Sequence, residues 1–332
     1  MTDRFEYDEF GLFHENAAEY GLPYHRPPTV RRVFAEVAPG RRLSALAWQD
    51  KVPELVLLHG GAQNAHTWDT VAMALDRPLL AIDLPGHGHS DGPGVRAGGQ
   101  LDANGNAVDV AAAIRALAPG ARAVIGMSLG GLTAIALTVE APDLVRKLVL
   151  VDVLPGLKAR RSQHIGDFVN GPASFASLDA LLDRTIAFNP SRSRSSLRRG
   201  IVHNAQQQPD GSWVWRWARH RGLAAPSVQP AAGQAGAGQA ATTGPAGPAA
   251  DGTRYAGLWA PLAEITVPLL LVRGMRPDSV LDDDDERELR RRVPSAQVVH
   301  VAEAGHSVQG DAPLELAAII EDFVFSGRRE RP

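Results

Sequence analysis

Residues 121–131 read Ala121-Arg122-Ala123-Val124-Ile125-Gly126-Met127-Ser128-Leu129-Gly130-Gly131. A short apolar run, Ala123-Val124-Ile125, gives way at once to glycines around a serine, and an apolar helical pattern follows. The physical reading is a buried strand that turns sharply into a helix with Ser128 at the tip, the geometry of a nucleophile elbow. Such a turn leaves little room for side chains two residues before and two after the serine, which suits Gly126 and Gly130. Alone the motif is weak, because 33 of 332 residues are glycine and a serine capping a helix in a glycine-rich loop is the plainer alternative. Its weight depends on what flanks it.

Upstream, two further apolar runs precede helical patterns. Glu54–Leu58 ends in His59-Gly60-Gly61-Ala62-Gln63-Asn64, with a helix expected from about Thr67 to Leu75. Pro78–Ile82 ends in Asp83-Leu84-Pro85-Gly86-His87-Gly88-His89-Ser90, with a helix expected over Ala107–Leu117. Before them, Thr29–Trp48 carries two β-type runs around Pro39-Gly40, read as an antiparallel hairpin at a sheet edge. Downstream, Lys147–Val151 is a buried strand closing with Asp152, Val267–Val272 another leading to Asp278, and Gln297–Val301 the last, leading to His306. Helices are expected at Asp282–Arg292, acidic at its start and basic at its end, and at Leu314–Phe325.

Strands alternating with helices imply an α/β fold with a mostly parallel, doubly wound sheet and ligands at the carboxyl ends of its strands. The alternation stops over 154–261, where helix-compatible pieces at Ser177–Phe188 and Ser195–Gln206 and the run Trp213-Val214-Trp215-Arg216-Trp217 suggest a largely helical insertion. Within it, 222–252 is almost all small and polar residues, a composition that cannot offset chain entropy and is expected to be disordered. Residues 1–28, with Pro23, Pro27 and Pro28, read as an extended N-terminal arm, leaving 29–153 and 262–332 as the core.

A net charge of −3 gives no broad electrostatic footprint for nucleic acid or an anionic membrane, so a small-molecule substrate fits better. No cysteine is present, so neither disulfides nor thiolate metal sites contribute. The acidic opening Met1-Thr2-Asp3-Arg4-Phe5-Glu6 lacks the basic and apolar regions of a signal peptide, and no apolar run approaches the roughly 18 residues of a membrane span. A soluble, cytoplasmic protein is the expectation.

A serine hydroxyl needs a neighbouring base, a carboxylate to orient that base, and donors for the oxyanion that forms. His306 is the base expected from its loop after the final strand, and Asp278 the orienting acid, with Asp152 at the end of its own strand as the competing position. In the order Ser128, Asp278, His306 the chain resembles the α/β-hydrolase fold enzymes over 29–155 and 262–326, with the insertion where that family carries its cap. His59-Gly60-Gly61, the Asp83-to-Ser90 loop and His306 followed by Asp311-Ala312-Pro313 belong to the same likeness. The resemblance implies an oxyanion hole from the backbone N–H groups of Leu129 and Gly61, with Ala62 as the alternative to Gly61. It also implies a cofactor-independent serine hydrolase acting on a small carboxylic ester. Carbon–carbon bond hydrolysis, amide hydrolysis, cofactor-free haloperoxidase activity and a non-catalytic ligand-binding role are the alternatives.

Other features have blander readings. His59, His87 and His89 fit loop-shaping roles better than a metal site, and Asp282–Asp285 a charged helix start better than a calcium loop, so no metal is expected. Trp213, Trp215 and Trp217 alternate and would share one face of an extended segment, lining a substrate pocket or forming the cap's core. Arg192, Arg194, Arg198 and Arg199 read as a solvated helical face, although one could pair with an anionic substrate group.

Overall fold

A computed structural model describes residues 5–92, 102–156, 167–169, 171–217 and 255–326. The arm contains a helix, α1 (Phe13–Tyr20), which corrects the expectation of an extended segment. Its buried apolar residues are only Phe13 and Ala17, one turn apart, too little for a periodicity to register, and the prolines fall after its end at Gly21. Phe13 is buried with its ring 5.2 Å from that of Trp48.

The hairpin forms as read: β1 (Val30–Ala38) and β2 (Arg41–Trp48) are antiparallel around a turn in which Gly40 adopts a φ of 68°. Next come β3 (Leu55–Leu58), helix α2 (Asp69–Leu75) entered through a tight turn at Ala65–Trp68, and β4 (Leu79–Ile82). Helix α3 (Ala103–Leu117), β5 (Ala123–Met127), α4 (Leu129–Glu140) and β6 (Leu148–Val151) follow.

The chain then leaves the sheet. Helices α5 (Leu178–Phe188) and α6 (Arg194–Asn204) accompany a small antiparallel sheet of β7 (Ser174–Phe175), β8 (Ala205–Gln207) and β9 (Trp213–Trp215) in the order β7-β9-β8. Among its described residues this segment, here called the cap, is largely helical, as its sequence suggests, with a small sheet added. The low-complexity stretch 222–252 lies outside the described residues. The chain returns through α7 (Trp259–Ala263), β10 (Leu269–Gly274), α8 (Asp283–Arg292), β11 (Gln297–Val301), the short α9 (Val308–Asp311) and α10 (Pro313–Phe325).

Among the described residues the main sheet has eight strands in the order β1-β2-β4-β3-β5-β6-β10-β11, antiparallel only where β2 meets β1 and β4. The central strands are fully buried: Leu-Val-Leu-Leu, Leu-Leu-Ala-Ile and Leu-Val-Leu-Val are continuous apolar runs because both faces are covered. Val56 and Leu58 face the layer built by α3 and α4, while Leu55 and Leu57 face α2 and α10. Each such side chain contributes roughly 1.5–3 kcal/mol by leaving water, which fixes the register of the strands on which the site is built.

Candidate active site

Ser128 follows β5 and adopts φ 50° and ψ −119°, a conformation costing a non-glycine residue about 1–3 kcal/mol. The close approach of the elbow explains its glycines. A Cβ on Gly126 would collide with the backbone of Gly130, and one on Gly130 with the carbonyl of Leu58. Ser128 is half-buried and lines a cavity of about 260 Å³ between the carboxyl ends of the strands and the cap.

His306 lines the same cavity, and its Nδ1 lies 2.9 Å from Oδ2 of Asp152. The carboxylate brought to the imidazole is therefore that of Asp152, not Asp278. Register explains the choice. Met127 pairs with Val151, and Val151 with Val272, so Ser128 and Asp152 are the first residues past adjacent strands at the same height. Asp278 stands four residues past the end of β10, exposed and lying over the backbone of Gly305, and among the described residues it forms no hydrogen bond to His306.

Asp152 is fully buried and saturated with donors. Oδ1 accepts from Gly274 N–H at 3.1 Å and Ser279 Oγ at 2.7 Å, and Oδ2 accepts from Val280 N–H at 3.1 Å as well as from the imidazole. The other three partners are donors, so the imidazole nitrogen on the same carboxylate is assigned the proton at Nδ1, which leaves Nε2 as the acceptor. The Ser128 hydroxyl and the His306 ring both line the cavity without being hydrogen-bonded to each other.

Beside the elbow, the Gly60–Gln63 turn sits directly against Ser128, since a Cβ on Gly60 would meet the Ser128 Cβ at 3.2 Å. The N–H of Ala62 donates to His87 Nε2 at 3.1 Å and is occupied; among the described residues the N–H groups of Gly61 and Leu129 have no protein acceptor. Ala62 holds φ 60°, pinned through that bond. His59 and His87 act as neutral bridges: His59 Nδ1 donates to Gly60 O at 2.7 Å while Nε2 accepts from Leu84 N–H at 2.9 Å, and His87 Nδ1 donates to Pro85 O at 3.0 Å. Burial pushes the pKa of His59 down, in keeping with that neutral role. Asp83 ties the same loops together, accepting from Ala65 N–H at 2.7 Å, His89 N–H at 3.1 Å and Arg32 at 2.8 Å.

Much of the rest of the cavity wall is the cap, and residues of α1, α2 and α9 complete it. Phe168, Phe188, Leu197, Ile201 and Trp215 supply apolar surface, with Asn189 and Arg192 among the polar groups. Of the three tryptophans, only Trp215 lines the cavity; all are buried in the cap's own core. Arg199 is buried rather than solvated and pairs with Glu19 of α1, while Arg198 reaches Glu15 at 3.7 Å. Asp282 to Asp285 form a capping box at the start of α8.

One cluster escaped the sequence. His66, Asp69 and His203 are buried with ligand-type atoms within 4.8 Å of one another. The imidazoles of His66 and His203 stack at 3.8 Å with planes only 10° apart, so their in-plane lone pairs run side by side instead of converging on a tetrahedral centre. His66 is already held on both nitrogens, by Asp69 at 2.9 Å and Glu9 at 3.2 Å, and His203 Nδ1 by Tyr7 at 2.9 Å. The cluster is thus a hydrogen-bonded junction of arm, core and cap. Nothing in the spacing of Tyr7, Glu9, His66 and His203 could have announced it.

Comparison with known proteins gives the same architecture. The alpha/beta hydrolase family profile matches residues 55–319. Esterase Rv0045c of Mycobacterium tuberculosis is 41% identical over 321 residues, 94% of each chain, and its crystal structure superposes with a TM-score of 0.74 over 96% of this chain and 98% of that one. A pimeloyl-[acyl-carrier protein] methyl ester esterase of Nitrosomonas europaea is 28% identical over 77% of this chain and 89% of its own. The structure of an E-2-(acetamidomethylene)succinate hydrolase, at 23% identity and a TM-score of 0.69 over 89% of this chain and 99% of that one, shares the fold. The chain belongs to the alpha/beta hydrolase family.

Proposed function

We propose that this protein is a serine esterase acting on a small carboxylic ester, with Ser128 as nucleophile, His306 as general base and acid, and Asp152 as the group that orients the imidazole. The observation that carries the reading is the bond from His306 to a buried, fully satisfied Asp152, one strand away from a serine on a strained elbow. Relatives named as esterases support an ester as the bond cleaved.

In this mechanism Ser128 Oγ adds to the ester carbonyl as His306 Nε2 takes the hydroxyl proton, and the imidazolium is stabilised by Asp152. The carbonyl oxygen, now an oxyanion, receives the N–H groups of Gly61 and Leu129. Collapse expels the alcohol, which takes the proton from His306 and leaves an acyl-Ser128. Water then adds through the same base, releasing the carboxylic acid and restoring the hydroxyl. A cavity of about 260 Å³ is slightly smaller than the usual ligand site (~300–1,000 Å³) and suits a small acyl group.

Labelling by a fluorophosphonate probe, together with hydrolysis of p-nitrophenyl butyrate, tests the reading. The native chain should be labelled and active, and Ser128→Ala should be neither. A folded native chain that ignores both reagents overturns it.

A further inference from the structure

The carboxamide of Asn204, the last residue of α6 in the cap, reaches across to the turn beside Ser128. Its Nδ2 donates to the carbonyl of Ala62 at 2.7 Å, and its Oδ1 accepts from Asn64 Nδ2 at 3.3 Å. We propose that Asn204 is a positioning residue for the oxyanion hole, through which the cap sets the direction of the Gly61 N–H. The inference rests on the reading of Gly61 and Leu129 as oxyanion donors.

The argument follows two peptide planes. The Ala62 carbonyl shares a rigid plane with the N–H of Gln63, because the peptide bond does not twist. That N–H donates to the carbonyl of Gly60 at 3.3 Å, so a pull on Ala62 O from the cap fixes the donor on the opposite side of the same plane. The Gly60 carbonyl shares its own plane with the N–H of Gly61, and in a trans peptide the two point in opposite directions. Holding Gly60 O toward Gln63 and His59 therefore aims the Gly61 N–H the other way. His59 Nδ1 secures the carbonyl from the core at 2.7 Å, and Gln63 Oε1 accepts from Gly60 N–H at 3.0 Å.

Ala62 shows that the turn needs holding. Its φ of 60° is a conformation an alanine does not favour, and its two peptide groups are gripped from opposite sides, the N–H by His87 of the core and the C=O by Asn204 of the cap. Without the Asn204 bond the left-handed residue can relax, and the 60–63 turn with it. An oxyanion donor is effective only when aimed in advance at the charge that develops, so a relaxed turn raises the barrier without changing how the uncharged ester binds.

The test compares Asn204→Ala and Asn204→Asp with the native chain. The aspartate keeps the shape and the acceptor for Asn64 but removes the donor to Ala62 O, so it stands in if the alanine variant does not fold. Loss of a direct oxyanion donor costs about 10²–10³ in kcat, and a misaimed one should cost less, about 10–50-fold, with KM within about threefold. Affinity for a phenylboronic acid, which forms a tetrahedral adduct on Ser128, should fall by the same factor, while affinity for the alcohol product, which carries no charge, stays within about twofold. Tyr7→Phe, which loosens the cap one residue away at His203 without touching Ala62, should leave kcat within about twofold. Unchanged kcat and boronate affinity in both Asn204 variants overturns the proposal, as does an equal loss in Tyr7→Phe or a parallel loss of product affinity. A native chain that binds no boronate overturns the oxyanion reading itself, a different result from a native chain that binds it as well as Asn204→Ala does.

Discussion

The imidazole of His306 is bonded at 2.9 Å to a carboxylate on Asp152 that is fully buried, whereas Asp278 stands exposed at the cavity's edge. Both oxygens of Asp152 receive donors, so Asp152→Asn must turn an amide N–H₂ toward groups that themselves donate. The imidazole then loses its partner or its tautomer, and kcat for an ester should fall about 10³–10⁴-fold. Asp278→Asn should keep activity within about threefold. Steady-state kinetics on the two variants, with circular dichroism to confirm folding, settles the assignment; the larger loss from Asp278→Asn would reverse it.

Why the sequence leaned toward the other aspartate is instructive. Ser128 directly follows an apolar run flanked by glycines and His306 lies in the loop after the last strand, and the order of strands and helices follows from burial on both faces of the sheet. Asp152 and Asp278 both follow strands, and only the register of β6 between β5 and β10 decides which carboxylate reaches the imidazole. Register across parallel strands is a long-range property without a local signature. The same holds for Asn204 and for the junction at His66, where residues nearly 200 positions apart meet. Proposing Gly61 rather than Ala62 as an oxyanion donor likewise needed His87 in place, since that histidine takes the Ala62 N–H.

Trp213 and Trp215 lie two residues apart and on one face, yet only Trp215 lines the cavity. Replacing Trp215 by leucine opens space for the acyl chain, and each accommodated methylene is worth about 0.8 kcal/mol. The ratio of kcat/KM for p-nitrophenyl octanoate to that for the butyrate should rise about 3–10-fold. Trp213→Leu should lower stability and leave the ratio alone, because its ring packs at 5.2 Å on Phe5 of the arm, away from the cavity. An equal shift in both variants would contradict this division.

The arm is bound to the rest of the chain by specific bonds. Phe5 N–H donates to Gln207 Oε1 at 2.9 Å, Tyr7 bonds His203, and Glu9 bonds both Arg32 and His66. Tyr20 donates to the Gly310 carbonyl at 3.2 Å, and Glu19 engages Arg199 and Ser193 of the cap. Glu9→Gln removes the carboxylate shared by two cationic groups. Breaking a fully buried pair costs ~3–5 kcal/mol, and because the Glu9 side chain retains 20% exposure the expected loss is about 1–3 kcal/mol. Urea unfolding should show this as a lower midpoint at unchanged slope; a change within about 0.5 kcal/mol would mean that the arm is not a strap.

The same junction sets a pH dependence of stability. Burial alone would lower the pKa of His66, but Asp69 on one nitrogen and Glu9 on the other outweigh it, with Arg32 opposing, and raise it to about 9. The stacked His203 is driven the other way, well below its ordinary value, first by burial and then by the charge on His66, so the pair shares one positive charge. A folded pKa above the ordinary 6.5 means that the folded chain holds the proton more tightly than the unfolded one, so this stabilisation is complete below about pH 6.5 and is lost as pH rises through about 9. Glu9 has the opposite sign. Its pKa is lowered to about 2 because His66 and Arg32 outweigh burial, so its contribution is present above about pH 4.5 and lost as pH falls through about 2. Thermal melts should therefore decline from pH 6.5 to pH 9 more steeply in the native chain than in His66→Gln, which melts lower but lacks the titrating proton. Parallel curves for the two proteins across that window would show that the His66 proton makes no contribution to folding.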